Sequence, residues 1–217
     1  LQDWGAGAAQ PSAQYGGREK AMITQAQRAP RRDTILRKDA LIAATLKCLS
    51  EEGYEGLSIR KISAEAGVSV GLINHHYSDK QDLVAQAYEH MTLSHLEIIR
   101  AAVEAAGDDA RAQIQAFNQS MVTVVVDPGV LRSWVVFWSM TREGNTLQEI
   151  HHRTYADYRT LLEGILRRLA TDHGLPLLDV RLAAIGLLAL HDGLWIVMSL
   201  NPQAVRADEV TRLADAW

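Results

Sequence analysis

ALIAATLKCLSEEGYEGLSIRKISAEAGVSVGLINHHYSDKQDLVAQAY, residues 40–88, holds the pattern on which the fold turns. Leu41, Thr45, Cys48 and Leu49 follow one another at i, i+4, i+7 and i+8, the spacing that lays side chains along one stripe of a helix. Gly53 closes that helix, because a residue without a Cβ enters the left-handed region at little cost. Ser58 offers the hydroxyl of an N-cap, Ile59, Ile62 and Ala66 share a face behind it, and Gly67 stops this second helix after about two turns. Ser69 caps a third short helix over Val70–His76. Ser78 or Asp79 caps a fourth, which begins near Lys80 and turns Leu83, Val84, Ala87, Tyr88 and Met91 inward.

Two short helices joined by three or four residues around a glycine form a helix-turn-helix pair. Gly67 supplies the turn, while Ile62, Ala66, Val68 and Ile73 supply a small core that fixes the angle between the helices. Spacing alone leaves the role open, since such pairs occur in DNA-binding heads, in enzymes and in purely structural domains.

The rest of the chain carries the same helical signature. Breaks fall at 107–109, 127–129, 144–145, 173–176 and 201–202, with no strand-like alternation of useful length between them. The predicted fold is therefore all-α. Residues 1–30 form a flexible tail, residues 31–80 an N-terminal helix-turn-helix (homeodomain-like) DNA-binding head, and residues 81–217 a C-terminal helical bundle for ligand binding and dimerisation.

Composition narrows the function. With 47% hydrophobic and 22% charged residues, the 217-residue chain is globular in composition, which sets aside collagen-like, disordered and disulfide-scaffold classes. The single cysteine, Cys48, builds neither a disulfide framework nor a thiolate metal cluster, and it suits a cytoplasmic location. No spacing supplies three converging metal ligands, so no metal and no cofactor is expected. Residues 1–30 lack the apolar core of a secretory signal. Val180–Leu200 is the longest apolar stretch, but Arg181, His191 and Asp192 interrupt it, so it reads as a buried helix and not as a membrane span.

The net charge of −4 is unevenly spread. Residues 28–80 hold nine Lys/Arg against seven Asp/Glu, and residues 81–217 hold eleven against seventeen. A modestly basic head can track phosphates whatever the total charge, because counterion release depends on local contacts.

Residues 40–88 resemble the N-terminal domain of the TetR family of bacterial transcriptional repressors. The resemblance rests on Gly53-Tyr54 at the helix end, the Ser58 cap, Ile62 and Ala64, the Ala66-Gly67-Val68-Ser69 turn, and the His76-Tyr77-x-x-Lys80 exit with Leu83 behind it. It implies a regulator and not an enzyme: a homodimer that binds double-stranded DNA at a near-palindromic operator. It sets Lys80 against a phosphate, where an ammonium and the first N–H groups of the fourth helix meet, and His76 nearby, although His76 can equally close the third helix. Base reading falls to the outward residues Ser69, Val70, Gly71, Asn74 and His75. Ser58 and Tyr77 complete the DNA-binding set, with Tyr77 and Ile73 turned into the head. Asn74 suits bidentate pairing with adenine, and Val70 suits a thymine methyl. Relatives often carry an aromatic at the position of Asn74 and a hydroxyl at that of Leu72, departures that bear on the operator sequence and not on binding itself. Arg28, Arg31 and Arg32 form a basic arm of the kind that enters a minor groove or is simply disordered.

Further along, LRSWVVFWSM at Leu131–Met140 and LAAIGLLALHDGLWIVMSL at Leu182–Leu200 are similar to segments of BetI-type repressors, which govern choline and glycine betaine genes. Trp134 and Trp138 share a helix face, Tyr155 and Tyr158 lie on the next helix, and Trp195 on a later one. These five aromatics can line one effector pocket. Ring faces stabilise a cation that has no hydrogen-bond donor, and Asp192 or Glu143 can add a counter-charge. The expected effector is a small organic molecule, in its most specific form a quaternary ammonium compound such as choline or betaine aldehyde; core packing is the competing account of the same tryptophans. His191-Asp192 needs partners on so apolar a helix. Of His151-His152, about 100° apart on a helix, one can approach a pocket while the other stays in water. The family's dimer packs the last two long helices, here Val180–Leu200 and Ala207–Trp217, and presents the two third helices to major grooves about 34 Å apart. Two other readings stand beside this one: a DNA-binding or DNA-organising protein with no effector, and a small helical enzyme using His151, His152, His191 and Asp192, for which no nucleophile elbow, phosphate loop or metal signature is present.

Overall fold

Helix boundaries follow the caps foreseen in the sequence. In the computed structural model, which describes residues 38–123, 127–142, 144–175 and 179–216, the described residues form nine helices. Arg28, Arg31, Arg32, Glu143 and Trp217 lie outside the described residues. The first helix, α1, covers 38–56, and Gly53 within it has φ 67, so the left-handed residue marks a break before one further turn. α2 (Ile59–Ala66) starts at Ser58, whose hydroxyl accepts from the Lys61 amide, and ends at Gly67 with φ 63. α3 (Val70–His76) starts at Ser69, which accepts from the Leu72 amide. α4 (Lys80–Ala105) is capped by Asp79, not Ser78; Ser78 instead donates from its amide and its hydroxyl to the Asp82 carboxylate. Such reciprocal bonds satisfy the otherwise orphaned amides of a helix start.

The remaining helices are α5 (Ala110–Thr123), α6 (Pro128–Met140), α7 (Thr146–Asp172), α8 (Val180–Leu200) and α9 (Ala207–Ala216). Asp127, Asn145 and Asp179 cap α6, α7 and α8. α2 packs on α3, α4 on α5 and α7, α5 also on α7 and α9, and α8 on α6, α7 and α9.

Contact clustering divides the chain into residues 1–40 and a unit over Leu41–Trp217. Within the second unit one apolar core runs from Leu41 to Ala214. Leu41, Thr45, Cys48 and Leu49 are buried, as the stripe requires, and Thr45 returns its hydroxyl to the Leu41 carbonyl at 2.7 Å. Leu83, Val84, Ala87, Tyr88 and Met91 of α4 join them. The first turn of α4 holds Lys80, so one 26-residue rod, about 39 Å long, leads from the head into the bundle.

α8, expected to be covered on both sides with the help of a second copy, is covered on one side by the chain itself. It is long and apolar enough to cross a membrane by length and composition, yet only one face is covered within the chain: Ala184, Leu187, Leu188, His191 and Trp195 are buried, while Leu182, Ile196, Val197 and Leu200 are exposed.

Candidate nucleic-acid interface and effector pocket

In the head, Ile73 and the C-cap residue Tyr77 point into the core and Leu72 is half-buried, which leaves the other residues of the seven-residue α3 facing outward. Ser69, Val70, Gly71, Asn74, His75 and His76 are exposed, with the His75 and His76 rings edge to face at 5.1 Å. Tyr77, although counted in the DNA-binding set, is buried and supports this face from beneath. Ser58 is half-buried and serves as the α2 cap.

Lys80 takes a place that the sequence did not disclose. Its Nζ donates to the carbonyl of Leu57 at 3.2 Å and lies 3.4 Å from that of Tyr54, and it sits 4.0 Å from the centroid of the Tyr54 ring. The ammonium thus ties the start of α4 to the end of α1, with one of its three donors to spare. Two other lysines of the head are paired with carboxylates, Lys47 with Glu65 at 2.7 Å and Lys61 with Glu52. Arg60, in the first turn of α2, is exposed and in no ion pair among the described residues. Sequence reasoning passed over it, although an arginine two residues after the Ser58 cap was the signal.

In the bundle, all six residues foreseen for an effector line one cavity: Trp134 and Trp138 from α6, Tyr155 and Tyr158 from α7, and Asp192 and Trp195 from α8. The indoles of Trp138 and Trp195 stack at 6.1 Å with 10° between planes, and Trp134 lies 5.5 Å from Trp195. The cavity leaves about 40 Å³ open to the centres of water-sized spheres, room for a few waters. Burial pushes the Asp192 carboxyl up to about 6, with no cation among the described residues to offset the desolvation. The buried Nε1–H groups of Trp134 and Trp195 find no acceptor among the described residues.

Tyr88 was missed as a wall residue because only tertiary packing brings it there, whereas of the His151-His152 pair it is His151 that approaches the pocket, one of the two arrangements foreseen. Tyr88 reaches in from α4, its hydroxyl 2.9 Å from Nδ1 of His151 on α7, and its ring edge to face with Trp134 at 5.9 Å. Burial first, then the neighbouring His152, hold the His151 imidazole below its ordinary range, so a neutral ring faces the cavity while His152 is exposed.

His191, beside Asp192 in sequence, belongs elsewhere. Its Nε2–H donates to Oδ1 of Asn118 at 3.1 Å, and the Asn118 amide donates to Asp215 of α9 at 2.8 Å. Behind the pocket His95 lies between the rings of Tyr158 and Trp195, both at 5.7 Å, with Nδ1 3.1 Å from the Tyr158 hydroxyl. A larger groove of about 640 Å³ runs along α5, α7, α8 and α9, but among the described residues its walls hold no aromatic ring.

A helix-turn-helix head on a helical bundle with an internal aromatic pocket defines a one-component transcriptional regulator. Comparison with known proteins gives the family: residues 41–87 match the bacterial regulatory proteins of the tetR family, and residues 110–217 match the C-terminal domain of the BetI-type transcriptional repressor. The chain belongs to the TetR family and carries a BetI-type C-terminal domain, which makes it a DNA-binding regulator of transcription and not an enzyme. It is similar to the HTH-type transcriptional regulator BetI of Pseudomonas paraeruginosa strain PA7, 31% identical over 189 residues that cover 82% of this chain and 89% of the relative. A transcriptional regulator of Pseudomonas aeruginosa PAO1 with a known crystal structure is 42% identical at a TM-score of 0.76, with 83% of this chain and 87% of that one covered. The fold is also shared by a regulator from Saccharomonospora viridis crystallised in complex with choline, at 18% identity and a TM-score of 0.73, with 82% and 93% covered.

Proposed function

We propose that this regulator is a two-fold symmetric repressor that reads a near-palindromic operator through α3 and releases it when a small quaternary ammonium cation, of the choline or betaine aldehyde kind, enters the aromatic pocket. One observation carries the effector: Asp192, a desolvated carboxyl with no cation beside it among the described residues, shares a cavity with the indoles of Trp134, Trp138 and Trp195. Ring faces and an uncompensated carboxylate together suit a cation that cannot donate hydrogen bonds. The BetI name of the relative and the choline bound to the Saccharomonospora viridis protein support the same chemistry.

The size of the cavity supports a coupled response. A trimethylammonium head needs more room than a few waters, so it enters only as the half-buried Trp138 swings aside and the walls on α4, α6 and α7 part. An effector that binds the opened arrangement better shifts the population toward it, and with it the spacing of the two heads. A second copy supplies the missing cover for Leu182, Ile196, Val197 and Leu200 of α8 and Leu213 of α9. Residues 31–80 then act as the reading head and 81–217 as sensor and dimer interface, at work in the cytoplasm where the DNA is.

Titration of the full chain with choline, followed by tryptophan fluorescence and by gel shift on a duplex selected from a random pool, tests this reading. Choline is expected to change the emission and to free the duplex, and Trp138→Ala to abolish the emission change. An unchanged emission and an intact complex at millimolar choline would sink the effector assignment.

A further inference from the structure

Gly71 is an expensive choice inside α3, because glycine has the lowest helix propensity of any residue except proline. Glycines earn such positions in two ways: a backbone conformation or a close neighbour that excludes a Cβ. Neither operates within this chain. Gly71 lies in regular helix without a positive φ, and a Cβ built on it would meet only Ser69 Oγ, at 3.9 Å, which is ordinary contact. Gly67, four residues earlier, shows the contrast: its φ of 63 accounts for it fully. Among the described residues nothing requires the missing methyl; the same holds for Gly164 in α7, so what sets Gly71 apart is the surface on which it lies.

Gly71 is exposed on the same outward surface as Ser69, Val70 and Asn74, and Val70 beside it presents an exposed apolar side chain. We infer that Gly71 is the point of closest approach between α3 and the duplex, where the helix main chain itself lies against the DNA and a methyl group would hold the two apart. Glycines serve in this way wherever a backbone must approach a ligand more closely than a side chain allows. On this account Gly71 sets the depth at which α3 sits in the groove, and so decides whether Asn74 and Val70 reach base edges at all. Gly71, placed with the base-reading residues from the sequence, is then a positioning residue, since it has no side chain with which to contact a base.

The inference rests on the DNA-reading role of α3, and its test separates the two. The full-length protein is used with a duplex that the wild type selects from a randomised pool. Gly71→Ala is expected to melt about 1–4 °C above wild type, since alanine favours the helix, and to bind the selected duplex about tenfold or more weakly. Gly164→Ala in α7, where a Cβ would meet only Arg168 Nη1 at 4.0 Å, is the control and is expected to melt higher while binding DNA as the wild type does. A Gly71→Ala protein that binds the duplex as tightly as wild type overturns the inference and leaves the role of α3 intact. One that melts below wild type overturns it as well, because the glycine would then be required within the chain. A wild type that selects no duplex overturns the role of α3 and the inference together.

Discussion

The guanidinium of Arg132 donates from Nε to the carbonyl oxygen of Ser50, 3.1 Å away. Arg132 lies two residues before Trp134 on α6, and Ser50 lies near the end of α1, so the helix that supplies two indoles to the pocket is bonded directly to the head. The Ser133 hydroxyl, 3.4 Å from the carbonyl of Leu46 on the same α1, is buried at this junction. Movement of α6 therefore has a second route to the head besides α4.

Arg132→Ala is expected to leave choline affinity within about threefold of wild type, because the side chain is exposed and outside the cavity. The weakening of DNA binding by choline should shrink, since α6 can then shift without carrying α1. Operator affinity measured with and without saturating choline gives the coupling directly. A ratio equal to that of wild type would assign transmission to α4 alone.

Asp192 makes effector binding sensitive to pH. Its carboxyl, held near 6 by burial, must ionise to meet a cation, so choline affinity is expected to rise as pH climbs through about 6 and to level off above about 7. Between pH 7 and pH 5 the loss is about tenfold, from the ionised fraction alone. Asp192→Asn should bind weakly and show no such slope. Calorimetric titrations at half-unit intervals decide the matter, and an equally steep profile in the asparagine variant would place the titrating group elsewhere.

Acid should destabilise the fold. Burial holds His95 and His191 down at about 4, below their ordinary 6.5, so the stability each contributes is complete above 6.5 and is lost as pH falls toward 4. Asp192 works the other way: with its pKa raised from 3.8 to about 6, its contribution is fullest below 3.8 and disappears as pH rises through 6. Two groups outweigh one. Melting temperature is expected to drop from pH 6.5 to pH 4, and less steeply in His95→Gln; a flat or rising trend on acidification would contradict the burial of both imidazoles.

Local chemistry was legible in the sequence and tertiary pairing was not. Caps such as Ser58 and Ser69 depend on residues a few positions away, so these helix starts could be read directly. The six pocket residues could be gathered because indoles and a carboxylate on apolar helices have few places to go. Tyr88 and His151, 63 positions apart, and the bonds from Asp215 through Asn118 to His191 carry no local sign, since polar residues on helices are ordinarily solvated. For α8, hydropathy shows that a face needs cover but not which residues the chain itself covers, so the split between the buried Leu187 and Leu188 and the exposed Ile196 and Val197 was not legible.

Lys80 shows how an internal bond changes a prediction made from its charge. Contact with a phosphate alone would make Lys80→Ala weaken binding to all duplexes and lower the salt slope by about one. Because the same ammonium satisfies the Leu57 carbonyl and rests on the Tyr54 ring, the variant should also melt below wild type. Asn74→Ala differs on every count: the side chain is exposed, so melting should not change, while discrimination between the selected duplex and its single-base variants should relax. Salt titrations of both variants beside their melting curves separate the roles. If Lys80→Ala melts lower yet keeps the wild-type affinity and salt slope, the lysine is an internal tie between α1 and α4, and the phosphate contact belongs to another cation, with Arg60 the first to examine.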